Sequence, residues 1–178
     1  MNAPTPVTSI QLAYVEEEDR IVIIFDLAPG QRYGMGLTRR ITGRFIDALA
    51  SMQANRRTQE LGGNVLLRDT ILSFEHSQAV AQGLASGDAS LKRPLQAPTA
   101  APRLVREIKL VPGAEGSLAV SLDDRQQVLA VELQAQRVHS LIAGLVDLAA
   151  RGDWNLPTAS WLDRSDSSAP APATAVIH

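Results

Sequence analysis

Cysteine is absent from the 178 residues. Disulfides, thiolate nucleophiles and Cys-based metal or iron–sulfur sites are thereby excluded. Aromatic residues make up only 4% of the chain, so aliphatic side chains and alanine must fill the core. Lysine is nearly missing as well: Lys92 and Lys109 stand alone, and arginine supplies the rest of the positive charge. Arginine is the better bidentate partner for carboxylate and phosphate, although a GC-rich coding sequence enriches Arg and Ala with no site involved. No apolar run approaches the length of a membrane helix. The opening MNAPTPVTS has neither a charged n-region nor an apolar h-region, so no secretory signal is read there. A cytoplasmic, bacterial-type protein is the expectation. The net charge of −2 and the pI of about 5.9 give no global attraction to nucleic acid or acidic membranes. Any anion binding must then be local.

What is present is an ordinary 45% of apolar residues, enough for one sizeable domain or two small units sharing a core. Residues 1–8 hold two prolines and little to bury, and read as a disordered arm. SIQLAYVEEE then alternates, with Ile10, Leu12 and Tyr14 on one face. RIVIIFDL is apolar on both faces, as a central strand is, and RYGMGL alternates through Tyr33, Met35 and Leu37. EEED and the Pro-Gly turn APGQ separate these segments, which predicts a three-stranded antiparallel meander.

A helix follows, capped by Thr38 and ending near Glu60 at LGG. Ile41, Phe45, Leu49 and Met52 form its stripe. Asn64 caps a second helix over 65–85, on which Leu67, Ile71, Phe74 and Ala81 share a face. That segment could also begin as a strand; the periodicity past Phe74 favours the helix. Residues 86–102 are rich in Pro and Ala and read as a linker. The first pattern then returns: RLVREIKLV, SLAVSL and QVLAVEL as strands, with a helix carrying Val138, Leu141, Ile142, Leu145, Val146 and Leu148. Ile41, Phe45 and Leu49 align with Val138, Ile142 and Val146 at a constant shift. Trp154 and Trp161 in the following extension are expected to fold back on the body. Residues 165–178 read as a disordered tail.

The predicted fold is α+β. Two antiparallel βββα units lie in tandem as a pseudo-repeat, residues 9–85 and 103–164, with the extra helix ending the first. Helices cover one side of one continuous six-stranded sheet, or of two packed units related by a pseudo-twofold.

Five arginines are the candidate anion- or partner-binding residues: Arg39, Arg40, Arg44, Arg56 and Arg57, offset over residues 39–57 only by Asp47. Cations at a helix N-terminus oppose its dipole. Helix amides with Arg40 and Arg44 would suit phosphate or a partner carboxylate. The up-and-down course of the meander brings the acidic bend Glu16–Asp19 to the same end as Arg39 and Arg40, so the bend is the alternative partner. Gly34 and Gly36 leave one side of their strand bare, open to close backbone approach or to ligand. The third glycine and the lysine of a phosphate-binding loop are missing. Asp69, Glu75 and His76 do not converge as metal ligands on a helix. Asp123 and Asp124 suit a hairpin turn. No catalytic constellation, metal site or cofactor is implied.

The expected function is a non-enzymatic protein-interaction, assembly or adaptor module, self-association included, since an open sheet leaves edges to cover. The alternative is a single-stranded nucleic-acid binder centred on the arginine-rich helix. In topology the tandem units resemble single-strand-binding repeats of the Pur family, which have four strands each where this chain has three.

Overall fold

The computed structural model describes residues 4–27, 31–86 and 101–163. The expected Pro-Gly turn at 28–30, the linker between 87 and 100 and the tail from 165 lie outside the described residues.

The first three strands are β1 (Thr5–Val15), β2 (Arg20–Leu27) and β3 (Gln31–Thr38). They form the expected antiparallel meander, with β2 in the middle. Ile21 to Phe25 are all buried, as a run apolar on both faces requires. β1 begins inside the segment read as an arm, because Thr5 and Pro6 pair with a strand from the other end of the chain. Its register slips between Val7 and Ser9. Arg137 steadies this bulge by donating to the carbonyls of Val7 and Thr8.

The second set comprises β4 (Arg103–Leu104), β5 (Glu107–Pro112), β6 (Leu118–Asp123) and β7 (Val128–Leu133). All strands join one seven-stranded sheet in the order β4-β3-β2-β1-β7-β6-β5. Two expectations are corrected here. RLVREIKLV is not one strand, and the sheet is mixed: β1 runs parallel to β7, and β3 to β4. The break explains both. Leu104 pairs with Gly36 of β3, whereas Glu107 pairs with Asp123 of β6. The intervening amides divide the same way, Val105 donating to Gly36 (2.9 Å) and Arg106 to Asp123 (2.8 Å). Three residues span at most about 11 Å. The sheet is therefore rolled until its two margins share one stretch of chain. The open edge expected to drive self-association is bridged over this stretch. Arg103 pins the crossing through Asp124 (3.0 Å) and Gln126 (2.6 Å) of the β6–β7 turn. In that turn Asp124 also accepts from the amides of Gln126 and Gln127, the hairpin role its sequence suggested.

There are three long helices, α1 (Arg39–Glu60), α2 (Val65–Ser86) and α3 (Ala135–Arg151), of which α1 and α3 pack on the sheet. A single turn, α4 (Ser160–Asp163), follows. Thr38 caps α1 by accepting from the Ile41 amide (3.5 Å), and Asn64 caps α2 through Leu67 (3.1 Å). Gly62 and Gly63, both at positive φ, make the turn between α1 and α2. Phe45, Ile46 and Leu49 of α1 join Val138, Ile142 and Leu145 of α3 over the sheet residues Ile21, Ile23, Phe25, Met35 and Leu37. α1 packs against both β3 and β5, filling the space where those strands diverge. α2 forms an outer layer, packed chiefly on α1, α3 and α4. Trp154 and Trp161 are buried.

Candidate functional site

The arginines divide into two groups. Arg39, Arg40 and Arg44 are exposed at the start of α1. Arg56 and Arg57 lie some four turns further on, about 24 Å along the axis at 1.5 Å per residue. Arg57 is used internally: its guanidinium bonds Glu60 and, across to α2, Glu75. Arg56 donates to Gln53 (3.2 Å) and lies 3.6 Å from Glu60. Burial, then the charge of Arg57, holds the Arg56 pKa below its usual value, with Glu60 opposing. Its guanidinium sits against Gly116, where a Cβ would approach to 2.7 Å. Beside it a groove of about 340 Å³ opens between α1 and the β5–β6 turn, lined by Met52, Gln53, Gln59 and Leu118.

Arg20 of β2 pairs with Thr38 of β3, so the acidic bend does lie at the end where α1 begins. It neutralises the arginines only at a distance. Asp19 accepts from the Tyr14 hydroxyl and the Trp154 indole N–H, both at 2.7 Å. Those two bonds, and then the charge of Arg39, hold its carboxyl below the usual carboxylate range. Glu18 pairs with Arg20 instead (2.9 Å). Among the described residues, Arg39, Arg40 and Arg44 make no ion pair. The bare side of Gly36 is filled by a neighbour on β2: the Arg20 Cδ lies 3.3 Å from the position of a Cβ.

The larger surprise is the orientation of α2. Sequence periodicity pointed Leu67, Ile71, Phe74 and Ala81 at the body. The buried residues are instead Asp69, Leu72, His76 and Ala79. Leu66, Phe74 and Leu67 are 75%, 67% and 46% exposed. The reason lies in the chain after α3. That extension runs back between α2 and α3 and needs polar partners. Ser73 donates to the Trp161 carbonyl (2.7 Å), and Ser160 donates to Asp69 (3.1 Å). His76, His139 and Trp161 form a triangle of rings with centroids 5.6 to 6.0 Å apart. In the triangle, His76 Nδ1, His139 Nδ1 and Trp161 Nε1 are buried with no hydrogen-bond partner among the described residues. A polar inner face leaves the apolar face outside.

Asp69, Glu75 and His76 go separate ways: Asp69 to Ser160, Glu75 to Arg57 and His76 to the aromatic triangle. Among the described residues no group of three His, Asp or Glu could hold a metal ion. Nor, among them, is any helix long and apolar enough to cross a membrane. No family model, curated protein or solved structure matches the chain.

Leu67 and Phe74 were missed as surface residues because a one-dimensional stripe cannot say which of two faces meets the body. The one available signal was the spacing of Asp69, Leu72, His76 and Ala79, which marks a second, mixed face on the same helix.

Proposed function

We propose that the chain is a non-enzymatic interaction or assembly module that works through the outer face of α2. One observation carries this: Leu66 and Phe74 remain largely exposed on a helix that turns Asp69 and His76 inward. A surface helix ordinarily buries its apolar stripe, and contiguous exposed apolar patches mark interaction sites. The scaffold is read as a duplicated βββα unit in a cytoplasmic protein. The pairing of β1 with β7 and of β4 with β3 supports duplication, since each unit's first strand then meets the other's third.

Photo-crosslinking in cells tests the role of α2. A photoreactive residue at Leu66 should give a discrete adduct that is lost when Leu67→Asp is added. The same probe at exposed Gln127, on the β6–β7 turn, should give none. Absence of any adduct from the α2 positions would falsify the proposal.

A second reading is favoured by the exposed Arg39, Arg40 and Arg44, which make no ion pair among the described residues. These residues, with the amides at the start of α1, would contact the backbone of single-stranded nucleic acid. Binding of a labelled oligonucleotide should then weaken steeply with salt and fall with Arg40→Glu. Absent or salt-indifferent binding eliminates this function.

A further inference from the structure

The outer face of α2 carries no charge. Running along it are Leu66, Leu67, Thr70, Ile71 and Phe74, then the polar Ser77 and Gln78 before Ala81. The nearest charged side chains are turned aside and neutralised within the chain, Arg68 by Asp69 (2.7 Å) and Glu75 by Arg57. A basic or acidic partner would find no countercharge there. A second copy of the same face would meet no like charge.

The pattern is also self-complementary. Leu67 and Phe74 lie two turns apart, with Thr70 and Ile71 midway. Turning the helix end for end places Phe74 where Leu67 was and leaves the midpoint unchanged. An isologous twofold contact needs this property. The exposed apolar area is on the order of 400 Å² per copy, within the range of functional patches. Two such patches with their rims approach the roughly 1,200 Å² at which specific interfaces begin. The strand edges are a poorer route to self-association, because residues 103–107 bridge the two sheet margins.

We propose that α2 packs antiparallel on α2 of a second copy about a twofold axis near Thr70 and Ile71, with Leu67 of each chain against Phe74 of the other. This rests on α2 being the interaction face, and it names the occupant.

The cysteine-free chain permits a direct test on the full-length protein. Thr70→Cys places one thiol beside the axis, so mild oxidation should yield a disulfide-linked dimer. Ala81→Cys places its two thiols about 30 Å apart along the helices and should not cross-link. By sedimentation, the wild type should pass from monomer to dimer as concentration rises. Phe74→Glu should remain monomeric and, at dilutions where the wild type is also monomeric, should keep its thermal midpoint, because the side chain is exposed. A wild-type monomer up to roughly 100 µM, where a Kd of about 10 µM would already give mostly dimer, overturns the second copy as occupant. So does cross-linking through Ala81→Cys in place of Thr70→Cys. If the Leu66 photoprobe then traps an adduct heavier or lighter than two chains, α2 remains an interaction face and only the second copy is lost. If it traps nothing, both fall.

Discussion

At the scale of single residues, the two tryptophans organise polar neighbours as much as they fill space. Trp154 donates to Asp19 and meets the Tyr14 ring edge-on, with centroids 5.7 Å apart. Tyr14 in turn packs on Gly152 at the end of α3, where a Cβ would lie 2.8 Å from the ring. Gly152→Ala should destabilise the fold by about 1–3 kcal/mol through overpacking, read as a lower urea midpoint. The rings around Trp161 add a dependence on pH. Burial, followed by the charges of His76, Arg56 and Arg57, pushes the His139 pKa down to about 4, and burial lowers that of His76. His139 is therefore neutral in the folded chain between pH 5 and pH 7, with His76 shifted in the same direction, while the unfolded chain protonates both near pH 6.5. Stability should fall as pH drops below that value and keep falling to about pH 4. Urea unfolding at pH 7 and pH 5 should differ by about 2 kcal/mol from His139 alone, and His139→Leu should remove that part. That Trp154 and Trp161 fold back was legible in the sequence, but their partners were not, because neither the triangle nor the Tyr14–Gly152 contact joins neighbours in the chain.

Among the elements, helices and strands with one apolar face were legible. The stripes of α1 and α3, the two-sided β2 and the alternation of β1 and β3 turn the residues their periodicity selects toward the core, fully buried at Leu12, Met35, Leu37, Phe45, Leu49 and Ile142 and partly at Ile10, Tyr14, Tyr33, Ile41, Met52 and Val146. The Thr38 and Asn64 caps were legible for the same reason: each acts within its own turn. α2 was legible as a helix but not in its rotation, since it carries two candidate faces and the 154–163 extension chooses between them. The reversal has a plain test. Leu72→Ala, at a fully buried position, should cost about 2–5 kcal/mol. Leu66→Ala, at 75% exposure, should change stability by no more than about 0.5 kcal/mol. A larger loss of thermal stability at Leu66 than at Leu72 would show that α2 is turned the other way. Among the arginines, membership of α1 was readable but not the allocation of partners. Arg57 is drawn off by Glu75, which belongs to another helix.

For the molecule as a whole, the two meanders were visible as pattern, but their union was not. It depends on Thr5 finding Val131 and on Leu104 finding Gly36, pairings that no local periodicity encodes. Because Val105 and Arg106 bond to opposite margins, their amides should rank among the slowest to exchange with deuterium, opening only with global unfolding. Exchange as fast as that of the exposed β6–β7 turn would mean that the margins part readily. The parallel pairing of β1 with β7 also bears on how the chain matures during translation. β1 leaves the ribosome well before β7 and cannot acquire its second neighbour until residues 131–132 have been made. Throughout that interval a nascent β1–β2–β3 ribbon is exposed to chaperones and to misassembly with other nascent chains.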